Sequence, residues 1–448
     1  MKKKTILILG AGFGGSTLLK KLQRYFKDDN ENKIEINIVS DDNYFLFTPM
    51  LPEVTSGMLH PSDISIPIRT LCTFANFFQA KVISTDLEKQ KVKIQQTFDQ
   101  KSITLDYDYL VIAMGSTDNF FGNKNLEKHT FTIKTLEDAL SIRNHVINAL
   151  ESADVEENPV LQDKLSNFVV IGGGFAGVEV AAEINHFVKD AAEHFYKKIK
   201  PENMKVILIS ARNSVLPELG PELGEYSLQY LKKSGIEVIT NTKAVDAGED
   251  FVLLDDNTII PCATAIWAGG VIVEPIIESL KAEHGPSGRI AVDESLQVQG
   301  FSNVFAIGDA AYLADKSTGE SYPPTAQIAI RQAKQVASNL RLMIKQNKSP
   351  EPFTYSNRGV MATIGKRTGV ALLIDQKLHG TIAWFLWRFF YLSNLPTREK
   401  KIRVGVEWFL DLFFQRSEIL TVGKIKGKKI TELDNPIQSV FDIKSEEL

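Results

Sequence analysis

Cysteine is scarce in this chain: 448 residues contain only Cys72 and Cys262, far apart and in no C-x-x-C spacing. That excludes a disulfide scaffold, a cysteine-based zinc site and an iron–sulfur cluster. It also argues against any mechanism that needs a redox-active thiol pair. Uninterrupted apolar runs of about eighteen residues are absent too, so no membrane-spanning helix is expected. Met1-Lys2-Lys3-Lys4 passes directly into Thr5-Ile6-Leu7-Ile8-Leu9, with neither the apolar region nor the cleavage site of a signal peptide. The mature chain is therefore expected to begin near Met1, on the cytoplasmic side. A net charge of -4 gives no general reason to bind nucleic acid. What remains is an ordinary globular composition, 44% hydrophobic and 24% charged, too long for one core and suited to two or three domains.

Glycine carries the first positive signal. The apolar run Thr5–Leu9 leads into Gly10-Ala11-Gly12-Phe13-Gly14-Gly15 and then the helix-compatible Ser16–Leu22. This is the G-x-G-x-x-G pattern in its required context of strand, tight turn and helix. Gly10 permits the turn, Gly12 lets backbone approach a pyrophosphate, and Gly15 lets helix and strand pack closely. The phosphates would then rest on the helix N-terminus, where free N–H groups favour anions. One such pattern is weak, but Phe168-Val169-Val170-Ile171 followed by Gly172-Gly173-Gly174-Phe175-Ala176-Gly177 repeats it before a second helix, Val178–Ile184. Two strand–glycine–helix units in one chain imply two dinucleotides.

Between them lies Tyr107–Ser116, a buried strand ending in the small-residue turn Ala113-Met114-Gly115-Ser116. Later comes Val304-Phe305-Ala306-Ile307-Gly308-Asp309, where Asp309 can accept hydrogen bonds from the hydroxyls of a flavin's ribityl chain. Taken together, residues 1 to about 345 resemble the glutathione-reductase-like flavoproteins. The resemblance implies an α/β fold of two Rossmann-like dinucleotide-binding domains, the NAD(P) domain inserted in the FAD domain. Expected boundaries are 1–118 and 291–345 for the FAD domain and 119–290 for the NAD(P)H domain, with 346–448 a C-terminal quinone-site and membrane-anchoring region. By the same likeness Gly10, Gly12, Gly14, Gly15, Ser40, Asp41, Val82, Ala113, Gly115, Asp309, Ala326 and Gln327 would bind FAD. Gly172, Gly174, Gly177, Ser210, Arg212 and Gly269 would bind NADH or NADPH.

Disulfide reductases of that class carry a cysteine pair after the first strand–loop region, yet Tyr44–Arg69 holds none. Sulfide:quinone oxidoreductases need paired cysteines as well, so that alternative is disfavoured. Instead Asn43–Pro52 (NYFLFTPMLP), Ile266–Val271 (IWAGGV), Pro323–Gln327 (PPTAQ) with Gln332, Met361–Lys366 (MATIGK) and Ala383–Arg388 (AWFLWR) resemble the type II NADH dehydrogenases. These are single-subunit NADH:quinone oxidoreductases that do not pump protons. The resemblance implies hydride transfer from NADH, or NADPH, to FAD and then electron transfer to a membrane quinone. Glu179, two residues past Gly177, is read as a group that orients or relays protons at the nicotinamide–flavin junction. Gln327 is expected at the quinone pocket, with Lys366 nearby to stabilise a reduced anion. No metal is expected.

Two departures bear on the donor. Ser40 stands where FAD-type ribose recognition favours an acid, with Asp41 next to it, and Ser210 stands at the equivalent place in the second unit. Arg212 would suit a 2′-phosphate, so NADPH stays open. Beyond Pro350, Ile382–Leu395 is crowded with aromatics around Arg388. A basic stretch then leads to an expected second helix, Val404–Gln415. Lys377–Lys428 carries ten Lys/Arg against four Asp/Glu, an excess of six. Aromatic amphipathic helices beside basic residues suit an anchor on an anionic membrane surface, at the cytoplasmic face. The same helices would also serve to pack on the body of the protein or at a homodimer interface. Rival readings are a soluble NAD(P)H-dependent reductase of a carrier protein such as ferredoxin, and a flavin-dependent redox sensor.

Overall fold

A computed structural model describes residues 3–29, 33–315, 319, 321–355 and 359–414. The strand Lys4–Leu9 is central in a seven-stranded sheet ordered Val304–Ala306, Tyr109–Ile112, Lys4–Leu9, Ile34–Ser40, Asn76–Asp86, Lys91–Gln96, Ser102–Asp106. The first five of these run parallel, and the remaining two are each antiparallel to the strand before them. Ile6 to Leu9 are at most 1% exposed, which is why this strand reads as an unbroken apolar run: both faces of a parallel sheet are covered.

Register places the chemistry. Leu9 pairs with both Val39 and Ile112, and Ile112 pairs with Ala306. The loops that follow, starting at Gly10, Ser40, Ala113 and Ile307, therefore open at one edge, the carboxyl end of the sheet, where such folds bind ligands. A second, all-parallel sheet is ordered Phe131–Thr132, Thr264–Trp267, Asn167–Ile171, Lys205–Ile209, Ile236–Ile239. There Ile171 pairs with Ile209 and with Trp267, so Gly172, Ser210 and Ala268 open at one edge in the same way. The short strands Ser116–Asp118 and Val271–Val273, antiparallel to each other, connect the two units.

The first glycine helix runs Phe13–Tyr25, starting three residues before the expected Ser16, because the turn is complete at Gly12. The second runs Phe175–His194. After residue 359 come three antiparallel strands, Val360–Gly365, Thr368–Leu373 and Gln376–Gly380, and then helices Thr381–Asn394 and Arg398–Leu410. The last helix differs from the expected Val404–Gln415. Thr397 caps it by accepting from the Lys400 N–H at 3.3 Å, so the basic stretch lies inside the helix. Gln415, and Arg416, Lys424, Lys426 and Lys428 of the basic excess, lie outside the described residues. Arg388 does not interrupt the aromatic face. It is buried between the rings of Trp384 and Trp408, 4.0 and 4.7 Å from their centroids, and its Nη1 donates to the Trp408 carbonyl at 3.4 Å.

Candidate functional site

The two fingerprints fold into the same cradle. In the first, a Cβ at Gly15 would collide with the Gly10 carbonyl oxygen, and one at Gly10, whose φ is +96°, with that of Ala113. In the second, a Cβ at Gly177 would strike the Gly172 carbonyl, and one at Gly172 that of Ala268. Glycine is required there by contact. At Gly12 and Gly174, the residues just before each helix, nothing lies within 4 Å of where a Cβ would be. Open space at a bare helix N-terminus fits a pyrophosphate at both places, so the residues present fit two dinucleotides. Gly14 has a different part: a Cβ there would press on Ile307 at 3.1 Å, so it allows the helix to pack on the loop that begins at Ile307.

Asp309 stands at the carboxyl edge of the first sheet, in the turn Gly308–Ala310. Its Oδ2 accepts from the Ser116 hydroxyl at 2.7 Å, and the buried Gln332 fixes the turn by accepting from the Gly308 N–H at 2.7 Å. Ala113 and Gly115 sit on the neighbouring loop; Gly115 has φ +78° and open space beside it. Ser40 closes its strand, and the Asp41 carbonyl accepts from Gln79 at 3.3 Å. The Val82 side chain is core, so a cofactor would meet only its backbone. In the second unit the Ser210 hydroxyl is 2% exposed, donates to the Ser214 carbonyl at 3.0 Å and accepts from the Arg212 N–H at 3.3 Å. It braces its own loop, whereas the Arg212 side chain is exposed. At Gly269 a Cβ would press into the Trp267 ring, whose indole N–H donates to the Asn119 carbonyl at 3.1 Å.

Glu179 is 8% exposed. It accepts at Oε1 from the Thr363 N–H at 3.0 Å and the Thr363 hydroxyl at 3.4 Å. Burial pushes its carboxyl up to about 8. The Thr363 N–H opposes the shift, the neighbouring Glu53 adds to it, and Thr363 and Trp387 side chains again oppose it. The carboxyl therefore carries a proton near neutrality. The Tyr391 hydroxyl is held protonated by burial, with Glu179 adding to the effect. A second carboxyl on the same helix, Glu183, accepts from Ser56 at 2.6 Å, and Glu53 accepts from the Trp408 indole at 2.9 Å. Glu53, Ser56, Thr363 and Trp408 belong to this site, but their partners lie far away in sequence and no local pattern marks them.

Ala326 and Gln327 begin the helix Ala326–Gln346, which Thr325 caps from its hydroxyl. Gln327 Nε2 donates to the Gly359 carbonyl at 3.2 Å. Lys366 is not brought beside it. Gly359 precedes, and Lys366 follows, the strand Val360–Gly365, and six residues of strand span on the order of 20 Å. Lys366 instead edges a cleft of about 200 Å³ with Asn185, Lys189 and Tyr230. The cysteines are unpaired. Burial pushes the Cys262 thiol up to about 12 with Asp250 adding, and burial also raises Cys72, so neither offers a thiolate. Among the described residues no His, Cys, Asp and Glu group is arranged to hold a metal ion.

Known proteins share this architecture. Residues 4–333 match the pyridine nucleotide-disulphide oxidoreductase family. The chain is 32% identical to a probable NADH dehydrogenase of Dictyostelium discoideum, across 93% of this chain and 91% of that protein. It is 30% identical to a type II NADH:quinone oxidoreductase of Mycobacterium tuberculosis, across 90% of this chain and 86% of that one. In three dimensions it is similar to the NDH2 of Plasmodium falciparum in complex with NADH, with a TM-score of 0.86 at 22% identity, covering 93% of this chain and all of that one. The duplicated cradle and these likenesses agree, and the chain belongs to the pyridine nucleotide-disulphide oxidoreductase family.

Proposed function

We propose that the protein is an FAD-dependent NADH:quinone oxidoreductase of the type II kind, and that the duplicated glycine cradle is the observation that carries this reading. Gly10, Gly12, Gly15, Ala113, Gly115 and Asp309 would hold FAD; Gly172, Gly174, Gly177 and Gly269 would hold NADH. When bound, FAD supplies the two-electron acceptor for the hydride of NADH and the donor for quinone. The first domain is read as residues 1–118 and 291–345, the second as 119–290, and the remainder as the quinone-side region.

Quinol formation needs two protons, and Glu179 holds one in a place shielded from water. Rings line the approach: Phe13 packs on Phe45 at 5.1 Å and on Phe47 at 5.6 Å, Phe47 on Tyr391 at 6.1 Å, and Tyr391 on Trp387 at 4.6 Å. This wall runs from the first glycine helix to the C-terminal helices and suits a flat apolar quinone. Gln327 would stand beside it as a hydrogen-bonding group. The reading is tested by anaerobic mixing with NADH and then a short-chain quinone, following flavin absorbance. Bleaching by NADH with recovery and quinol formation supports it; bleaching without any quinol points to a carrier protein such as ferredoxin.

We further propose that the protein attaches peripherally to an anionic membrane on its cytoplasmic face. No described helix is long and apolar enough to cross a membrane. Yet the last two helices bury Trp387 and Trp408 inward and leave Ile382, Phe385, Phe389, Ile402, Val406 and Phe409 at least half exposed, beside Arg398 and Arg403. Apolar area plus basic charge, about 1 kcal/mol per Lys or Arg near such a surface, favours an interfacial helix pair. Phe389→Glu with Ile402→Glu should abolish sedimentation with anionic vesicles while leaving flavin content and thermal unfolding unchanged. Full vesicle binding by that variant would remove the anchor; loss of a dimer in its place would assign the face to a second copy.

A further inference from the structure

We propose that Lys134 is a positioning residue for hydride transfer, tying the nicotinamide-side unit to the carboxylate that anchors the flavin. The inference rests on the oxidoreductase reading above and deepens it. Lys134 lies just past the edge strand Phe131–Thr132 of the second sheet and just before the helix Leu136–Val155. Its Nζ donates to the Ser116 hydroxyl at 3.0 Å, and that hydroxyl donates to Asp309 Oδ2 at 2.7 Å. Ser116 is 7% exposed. A serine hydroxyl has one proton, so a donor on its oxygen turns that proton toward Asp309. The chain ammonium–hydroxyl–carboxylate is polarised in one direction. Asp309 Oδ1 accepts no hydrogen bond from the described residues. One oxygen is fixed and the other is left for a hydroxyl of the ligand.

The lysine is itself held. Asp138 Oδ2 accepts from the backbone N–H groups of Lys134 at 3.0 Å and Thr135 at 2.8 Å, and Oδ1 accepts from the Thr132 hydroxyl at 2.9 Å. Thr135 returns a bond by accepting from the Asp138 N–H at 3.1 Å, closing a capping box. The backbone that carries the ammonium is therefore rigid.

Its setting is unusual for a lysine. Burial lowers its pKa, and Asp118, Asp309, Glu274 and Asp138 oppose that shift. Burial likewise raises the carboxyls of Asp118 and Glu274, with Lys134 opposing it at both. Asp118 lies in one strand connecting the two units and Glu274 directly follows the other, Val271–Val273. One ammonium thus compensates carboxylates on both connectors and on the flavin anchor. Without that centre the carboxyls on the two connectors lose their shared counter-charge and are pushed further towards the protonated form, which would loosen how the two cradles are held relative to each other. A displacement of about 1 Å can cost hydride transfer up to 100-fold.

The test uses flavin-loaded protein in rapid anaerobic mixing. Lys134→Met should slow flavin reduction at saturating NADH by about 10- to 100-fold, with little change in the NADH concentration giving half the maximal rate. Reoxidation by a short-chain quinone should stay within about twofold. Lys134→Arg, which keeps charge and donors, should recover much of the loss, and Ser116→Ala, which keeps the ammonium but cuts its link to Asp309, should slow the same half-reaction by a smaller factor. Wild-type flavin reduction in both Lys134→Met and Ser116→Ala overturns the proposal. So does equal slowing of both half-reactions, which marks general damage to the fold. If the native protein itself shows no flavin reduction by NADH, it is the oxidoreductase reading that fails.

Discussion

Gly15→Ala should bind flavin more weakly and purify with less than one flavin per chain, whereas Gly177→Ala should yield fully yellow protein that needs correspondingly more NADH to bleach. The two changes are chemically identical and the two sites geometrically equivalent. In each, the added Cβ would run into the carbonyl oxygen of the glycine five residues earlier, Gly10 or Gly172. Neither neighbour can rotate away, because both are backbone. The helix must retreat from the turn, and the N–H groups at its end leave the position a pyrophosphate needs. Forcing one carbon into such packing typically costs about 1–3 kcal/mol, which taken from ligand affinity is roughly 5- to 150-fold. Flavin content by absorbance and NADH affinity by titration read the two effects separately. Full flavin content in Gly15→Ala would contradict the assignment of the first cradle to FAD, and normal bleaching in Gly177→Ala would contradict the second.

Glu179→Gln should slow quinone reduction by about 10²- to 10⁴-fold, the usual worth of a positioned acid, while leaving flavin content and NADH-driven bleaching near native values. The glutamine keeps the shape and can still accept from Thr363, but it has no proton to give. The native carboxyl, pushed up to about 8, donates below that pH and loses its proton above it. Quinone turnover of the native protein should therefore fall as pH rises through about 8, and the variant should lack that limb. Stability follows the same proton. In the unfolded chain the carboxyl ionises near the ordinary 4.5; in the fold it stays protonated up to about 8. As pH rises between those values the unfolded state binds fewer protons than the folded state, so Glu179 makes the fold progressively less stable. Each pH unit in that window is worth about 1.4 kcal/mol, so the variant should overtake the native protein in thermal stability on the alkaline side. Unchanged quinone turnover would remove Glu179 from the reaction.

The parts of this fold that were legible in sequence are those whose cause is local. Each cradle is written in consecutive residues, strand, glycines and helix, and both appear where the pattern put them. The Gly308-Asp309 turn was readable for the same reason. Gln332 was visible as part of a resemblance, though not as the residue that grips Gly308. Lys366 shows the limit. Its neighbourhood in sequence resembles a quinone site, but a six-residue strand separates it from Gly359 and Gln327, and strand length times rise decides the distance. Ser210 shows another. It stands where an acid is favoured and was read as leaving a 2′-phosphate possible, yet its hydroxyl turns back onto the Ser214 carbonyl and braces its own loop. The aromatic C-terminus was legible as amphipathic but not in its detail. Which rings face inward depends on Arg388 stacking between Trp384 and Trp408, and on Trp408 reaching Glu53, a pair 355 residues apart. Lys134 gave no signal at all. A lone lysine before a helix is common, and only the fold brings it to Ser116 and Asp309.

The central claim is that two anion-cradling helix ends bring a nicotinamide and a flavin together in one chain. The most direct measurement is an anaerobic titration of the purified protein with NADH, read at the flavin absorbance band. The account predicts a yellow protein that bleaches in proportion to added NADH and is fully reduced at about one equivalent per flavin, since a hydride carries both electrons. Protein that is folded but cannot be reconstituted with FAD, or flavin that stays oxidised with NADH in excess, would contradict it.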